Sequence, residues 1–171
     1  DAIHRYSVVP HEYFHVWQKS HAPDVMEIKW LSEGAAATLE SIYVQEHYSY
    51  DYFSSAQEPN LSNQVIQTPS LYESYDASGG DLDVNYSGSV FLTLVLAKEL
   101  KNKGLTETQA FRKILKDFYL LKPDSKNWKN KFEEIFLMST DSFYEAVKEF
   151  EVSYKDLLPS PDLKLSEIFS N

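Results

Sequence analysis

The sequence predicts a mainly α-helical protein of five or six helices. Two observations carry this prediction. Apolar residues recur at helical spacing in the segment 27–48, and a strongly apolar segment, 86–104, ends in lysines and a glycine, as helices commonly do. The length of 171 residues suits one domain. We assign residues 1–155 to this helical domain and residues 156–171 to a C-terminal tail.

The first two predicted helices form a pair joined by a short turn. The first covers "RYSVVPHEYFHVWQKS", with Ser7 expected as its N-cap and Pro10 in the first turn, where a missing N–H costs little. A turn around Pro23 leads to the second helix, residues 27–48. Its alanines at positions 35–37 present a narrow face that can pack closely.

Residues 49–83 differ in composition from the segments on either side. They are rich in Ser, Asn, Asp, Pro and Gly, which predicts a long loop with little regular structure. Loops of this length in a compact domain are uncommon and often functional. A solvated connection would explain the composition equally well.

The remaining segments are again helical in pattern. The helix at 86–104 ends with Gly104, and Thr106 and Gln109 have capping-box spacing at the start of the next helix. Two more helices follow in "NWKNKFEEIFLMS" and "TDSFYEAVKEFEVS". The segment "LLPSPDLKLSEIFSN" contains two prolines, and we expect it to lie across the surface.

Charge and composition exclude several classes of protein. The formal net charge is −10 and no basic stripe is visible, so we expect no nucleic-acid partner. The absence of cysteine removes disulfides, thiolate metal sites and cysteine nucleophiles. No apolar run reaches the roughly 18 residues that a membrane span needs.

The stretch "VVPHEYFHVWQ" carries an H-E-x-x-H pattern. His11 and His15 are four residues apart, so on a helix both imidazoles can reach one metal ion. Glu12 lies beside them, where the pattern calls for the base of a metal-dependent hydrolase. The alternative is an amphipathic helix whose two histidines have ordinary hydrogen-bond partners.

A third metal ligand is predicted at Glu33, in "WLSEG". It follows His15 by 18 residues, enough for one helix to end and a second to return beside it. A carboxylate pointing between two helices is costly unless a cation accompanies it. Two histidines and a glutamate form an established zinc ligand set. We therefore predict a Zn²⁺ site at His11, His15 and Glu33, against the alternative of a salt-bridged helix face.

Glu40 lies seven residues after Glu33, on the same predicted helix face. Its carboxylate could accept a hydrogen bond from a ligand histidine and so fix the tautomer of that ring. An exposed glutamate is the more ordinary expectation at such a position, and we favour it here.

The combination "HEYFH…WLSEG" resembles the gluzincin metallopeptidases, especially the glycyl-aminopeptidase and alanyl-aminopeptidase families. The resemblance spans residues 5–150, including "YSGSVFLTLVLAKELKNKG" and "FEEIFLMS". It implies the helical half of a thermolysin-like catalytic domain. In the family a β subdomain precedes this half, but only ten residues precede His11 here. Either that N-terminal subdomain is missing from this chain, or the domain does without it. Family habit also points to an extracytoplasmic location.

The resemblance further implies a catalytic tyrosine and an activity. Family members use a tyrosine hydroxyl to stabilise the tetrahedral intermediate, and this tyrosine lies before an apolar helix in a Y-x-x-G context. Tyr86 in "NYSGSVF" is the nearest match, although its spacing to Gly88 is one residue short of that pattern. Tyr72 and Tyr75 are rival positions. The predicted function is a zinc-dependent peptidase in which Glu12 is the general base for a metal-activated water.

Its substrate would be a peptide or protein. An aminopeptidase is one form of this activity, and the endo- or exopeptidase mode stays open. The alternative from another class is a catalytically inactive, zinc-stabilised module that binds peptides or docks to a larger assembly.

Overall fold

A computed structural model describes residues 2–75, 82–151 and 153–170 of the chain. In these residues the regular structure is helical and no strand occurs, so the mainly α prediction is confirmed. The α-helices, in chain order, are α1 (Ala2–His21), α2 (Lys29–Tyr48), α3 (Gln64–Gln67), α4 (Leu82–Asn102), α5 (Glu107–Arg112), α6 (Phe118–Leu120), α7 (Trp128–Phe136), α8 (Thr140–Lys148) and α9 (Leu165–Ile168).

Helix α1 begins further upstream than predicted. It includes Ser7 and Pro10 in its interior, so the predicted N-cap at Ser7 and the placement of Pro10 in the first turn are wrong. The Ser7 side chain is buried, and its hydroxyl donates a 2.6 Å hydrogen bond to Oε1 of Glu40 on α2. The serine therefore ties two helices together instead of capping one.

Helices α1, α2 and α4 form the centre of the fold, with α2 packed between the other two. At Gly34, α2 lies very close to the backbone of α4. A Cβ atom at this position would lie 2.5 Å from the carbonyl oxygen of Ser89 and 2.9 Å from Oγ1 of Thr93. The alanines at 35–37 are all buried, in agreement with the predicted small face of α2.

The segment between α2 and α4 is more ordered than predicted. Its described part, up to residue 75, contains a π-helical turn (Phe53–Gln57), a 3-10 turn (Glu58–Asn60), α3 and a second 3-10 turn (Pro69–Glu73). The prediction of a loop with little regular structure is wrong there, because Phe53, Val65 and Tyr72 are buried and anchor the turns on the core. The rest of the predicted loop includes residues 76–81, which lie outside the described residues.

The second half of the chain follows the predicted helices. Gly104 adopts a φ of 99° just after α4, a conformation that favours glycine. Thr106 and Gln109 form the predicted capping box at the start of α5. A π-helical turn (Lys113–Asp117) then connects α5 to α6.

Helices α7 and α8 pack against the first turn of α2 through an aromatic cluster. Trp30 is fully buried, stacks on Phe143 at 5.5 Å between ring centroids, and meets Phe132 edge to face at 6.1 Å. Its indole N–H donates to the hydroxyl of Tyr144 at 3.0 Å, so the burial leaves this donor paired. This cluster holds the beginning of α2, and therefore Glu33, against the helical second half.

The C-terminal segment, which was predicted to lie across the surface, contributes buried apolar side chains to the core. Leu157, Leu163 and Ile168 are buried, and the guanidinium of Arg112 donates to the carbonyl oxygen of Ile168 at 3.0 Å. Phe169 packs edge to face against Phe14 and Trp17 of α1. Among the described residues, no helix combines the length and the apolar character that crossing a membrane requires, in agreement with the prediction from the sequence.

The close contact at Gly34 can be tested with Gly34→Ala. This substitution has two effects of opposite sign on the free energy of unfolding. Helix propensity alone would make Gly34→Ala stabilising by about 0.5–1 kcal/mol. The new methyl group would instead press on the backbone of α4, and overpacking of this kind costs about 1–3 kcal/mol. We expect denaturant unfolding to show a lower free energy of unfolding for Gly34→Ala. A stabilised variant would contradict the close approach of α2 and α4.

Candidate metal centre

Helices α1 and α2 bring the three predicted ligands together. Nε2 of His11 and Nε2 of His15 lie 3.1 Å apart, and Oε2 of Glu33 lies 3.5 Å from the first and 3.0 Å from the second. Among the described residues, these three form the one group of metal-ligating side chains whose donor atoms converge. The 18-residue spacing therefore does place Glu33 beside the histidine pair.

The size of this triangle fits a zinc ion. Zinc binds histidine nitrogen and carboxylate oxygen at about 2.0–2.2 Å in tetrahedral geometry, which separates neighbouring ligand atoms by about 3.3–3.6 Å. The three edges, 3.0, 3.1 and 3.5 Å, lie close to that separation. The three side chains are 8–12% exposed, so the site is largely buried yet still reaches solvent. A fourth position for a water or a substrate atom is compatible with this exposure.

Glu40 fixes the tautomer of His11. Its Oε2 lies 3.1 Å from Nδ1 of His11, and its Oε1 accepts the hydrogen bond from Ser7. An ionised carboxylate can only accept, so Nδ1 of His11 carries a hydrogen and Nε2 can present its lone pair to the metal. Our expectation of an exposed Glu40 is wrong. The residue is only 7% exposed because it faces α1 across the helix pair.

His15 has an amide partner in place of a carboxylate. Its Nδ1 lies 2.7 Å from Oε1 of Gln18, which is fully buried. The Gln18 oxygen accepts from Nδ1–H, so Nε2 of His15 also points its lone pair toward the centre. Both imidazoles are therefore oriented from behind by a hydrogen-bond acceptor.

Ser7 and Gln18 belong to the hydrogen-bond network of the site, a role that was predicted for neither residue. A signal for both was present, because polar residues at positions 7, 11, 15 and 18 fall on one face of a helix. Such a stripe, with Phe14 as its one fully apolar buried neighbour among the described residues of α1, indicates a polar network within the core.

In the metal-free protein, the carboxylates of the site favour a positive charge between them. Burial disfavours a charged His11, but its hydrogen bonds with Glu33 and Glu40 outweigh burial and raise the pKa of His11 to about 9. Burial acts to raise the pKa of Glu33, and its interactions with His11 and His15 outweigh burial and lower that pKa to about 2. A proton on His11 thus supplies the positive charge that two neighbouring carboxylates require.

A cleft of about 530 Å³ opens next to His11. Glu12 lines it and is exposed to solvent, in contrast to the buried His11 that precedes it. Tyr86 lines the same cleft, and its ring centroid lies 6.1 Å from that of His11. The predicted ligands, the predicted base and the predicted tyrosine therefore lie in one region of the molecule.

The rival tyrosines lie outside the described lining of the cleft, but Tyr75 is close enough to Glu33 for that carboxylate to add to the rise in the Tyr75 pKa that burial causes. Tyr72 is buried with its ring against the Cα of Gly88, where a Cβ atom would clash with it. Tyr75 donates its hydroxyl hydrogen to Oγ of Ser89 at 3.1 Å, because the Ser89 hydroxyl itself donates to the carbonyl oxygen of Asn85. Within the described lining of the cleft neither residue occurs, whereas Tyr86 does.

Comparison of the chain with protein-family models, with curated proteins and with solved structures finds no match. The functional inference therefore depends on the residues of the site and on their geometry.

The raised pKa of His11 predicts how zinc affinity depends on pH. Below about pH 9 the metal must displace the proton of His11, so affinity falls by about tenfold for each unit of decreasing pH. Glu33 stays ionised down to about pH 2 and adds nothing to this slope. Competition with a chromophoric chelator at pH 6, 7 and 8 measures this slope of zinc affinity against pH.

The His47→Ala variant is the control for this measurement, because His47 lies at the end of α2 and is exposed. It should keep the slope of the parent protein. Equal zinc affinity at pH 6 and pH 8 in the parent would contradict the proposed charge state of His11.

Proposed function

We propose that the protein is a zinc-dependent peptidase in which His11, His15 and Glu33 hold the metal and Glu12 is the general base. One observation carries the proposal: His11, one of the three converging ligands, lines a cleft that Glu12 also lines, while His15 and Glu33 lie outside its described lining. A purely structural zinc site is closed by four protein ligands, whereas a catalytic site keeps a position open. The described residues supply three converging ligands and an adjoining space for a substrate.

The proposed roles follow from the positions of the side chains. Zinc, when bound, would supply Lewis acidity that makes a water molecule more acidic and polarises a carbonyl group. Glu12 is exposed within the cleft, one residue from the ligand His11, and can take a proton from the attacking water. The same carboxyl group can then deliver that proton to the leaving amine, as general acid–base catalysis requires.

Tyr86 is the proposed donor to the oxyanion. Its placement in the cleft near the ring of His11 supports this role. A phenol hydroxyl in this region can stabilise negative charge on the carbonyl oxygen of the substrate as the tetrahedral intermediate forms. Tyr86 lies inside α4 instead of before it, which differs from the family pattern used to select it.

The lining of the cleft suits an uncharged or cationic segment of peptide. Amide and hydroxyl groups are contributed by Gln57, Asn60 and Ser87, and carboxylates by Glu12 and Glu40. Amides and hydroxyls can pair with the N–H and C=O groups of a bound backbone. No lysine or arginine occurs in the described lining, so neither is available there to bind the terminal carboxylate of a substrate.

The variant Glu12→Gln tests the proposed base. Glutamine has nearly the same shape but cannot take up the proton, so hydrolysis of peptides should fall by about 10²- to 10⁴-fold while zinc affinity stays that of the parent. Turnover of a peptide panel, measured together with metal content, gives both quantities.

Glu27→Gln is the matched control, since Glu27 is exposed and lies in the turn between α1 and α2, outside the described lining of the cleft. It should leave turnover unchanged, and chelation should abolish turnover in both the parent and this control. If Glu12→Gln cleaved peptides as fast as the parent, the mechanism would be wrong. If the parent bound zinc and peptides without cleaving them, the zinc-stabilised binding module would replace the peptidase.

A second pair of variants tests the oxyanion donor. Tyr86→Phe removes one donor to the developing charge and should lower kcat by about 10²- to 10³-fold with little change in KM. Tyr75→Phe removes a comparable hydroxyl that donates to Ser89, and kcat should change little. Steady-state kinetics with one peptide checks both, and the opposite ranking would assign the role to Tyr75.

A further inference from the structure

A chain of buried hydrogen bonds runs from the metal ligand His15 into the second half of the protein. Gln18 accepts from Nδ1 of His15 through its amide oxygen and donates through its amide nitrogen to two oxygens. These are the carbonyl oxygen of Ser32, at 3.1 Å, and the hydroxyl oxygen of Tyr119, at 2.9 Å. The Tyr119 hydroxyl in turn donates to the carbonyl oxygen of Leu31 at 2.7 Å.

The directions of these bonds leave Gln18 only one orientation. The single hydrogen of the Tyr119 hydroxyl is committed to Leu31, so toward Gln18 this hydroxyl can only accept. The carbonyl oxygen of Ser32 can also only accept. Both neighbours therefore accept hydrogen bonds from the amide nitrogen of Gln18. The amide oxygen then faces His15.

From this we infer that Tyr119 is a positioning residue for the metal centre, acting through Gln18 to hold the His15 ring and its tautomer for zinc. This inference rests on the proposed function only in requiring that His15 binds zinc. With the amide reversed, its nitrogen would face Nδ1 of His15, and the hydrogen would shift to Nε2, the atom needed by the metal.

The surroundings of Tyr119 suit a fixed role. Its side chain is fully buried and packs edge to face against Phe14 and Trp17 of α1, with centroid distances of 5.9 and 5.8 Å. Burial raises the pKa of Tyr119 far above its usual range, so the hydroxyl remains a neutral donor. Tyr119 lies in α6, which follows the π-helical turn Lys113–Asp117 and contacts α1.

The partners of the two histidines also differ in charge. Glu40 behind His11 is a carboxylate, while Gln18 behind His15 is neutral. Together with Glu33, the site thus presents two negative charges, which balance a divalent cation. The neutral amide needs a neighbour such as Tyr119 to orient it, because its two ends are similar in shape and opposite in hydrogen-bonding role.

A double-mutant cycle on zinc affinity tests the inference. We expect Gln18→Leu to weaken zinc binding by about 10- to 100-fold, and Tyr119→Phe to weaken it by about three- to tenfold because it acts one residue further away. In the Gln18→Leu background, Tyr119→Phe should cause no further loss, since its effect passes through the missing amide. Zinc dissociation constants from chelator competition at one pH provide all four values.

Tyr144→Phe is the matched control. Tyr144 is also buried, and its hydroxyl also has two partners, accepting from the indole N–H of Trp30 and donating to Glu73. Its loss should lower thermal stability as Tyr119→Phe does, yet leave zinc affinity unchanged. If Tyr119→Phe left zinc affinity unchanged, or if both tyrosine variants lowered it equally, the inference would be overturned.

Further outcomes separate this inference from the proposed function. If Tyr119→Phe does not fold, Gln18→Leu alone decides, and parental zinc affinity in that variant would overturn the inference. A parent that binds no zinc would overturn the proposed function and this inference together. A parent that binds zinc with variants that bind equally well would overturn this inference alone.

Discussion

One electrostatic constraint underlies the arrangement of the helices: a carboxylate oxygen and two imidazole nitrogens converge within 3.5 Å of one another. The hydrogen-bond partners behind the rings direct both nitrogen lone pairs toward this point. Three electron-rich atoms facing each other in a largely buried place are unfavourable without a positive charge among them. In the metal-free protein a proton on His11 supplies that charge, and a divalent cation would supply it more completely.

The architecture can be understood as support for this arrangement. Gly34 lets α2 lie directly against α4, and the Trp30 cluster holds the first turn of α2 against α7 and α8. Glu33 lies between these two anchor points, so its backbone has little freedom to move away from α1. On α1, hydrogen bonds from Ser7 to Glu40 and from Gln18 to Tyr119 fix the opposite side of the site. The buried side chains of Gln18 and Glu40, which would otherwise be costly in a helical core, have hydrogen-bond partners within this network.

The sequence predicts those features of the structure that depend on residues close together along the chain. The pair His11 and His15 follows from the pitch of a helix, and Glu33 follows because 18 residues allow a helix to end and return. The N-cap at Ser7 failed because a buried partner on another helix outweighs a local preference. Glu40 was misjudged for the same reason, since its burial depends on which helix packs over it.

The residues that no local rule could have found are those joined across long sequence separations. Tyr119 reaches Gln18 from 101 residues away, and Trp30 meets Tyr144 across 114 residues. The turns between α2 and α4 were missed because polar composition concealed a few buried anchors, such as Phe53 and Val65. Tertiary packing decides such positions, and propensity has little influence on them.

The most direct test of the central claim is a crystal structure of the zinc-loaded protein with diffraction data collected on both sides of the zinc absorption edge. The account predicts one strong anomalous peak per chain, about 2.0–2.2 Å from Nε2 of His11, Nε2 of His15 and a carboxylate oxygen of Glu33. A peak at other residues, or no stoichiometric zinc after loading, would contradict it.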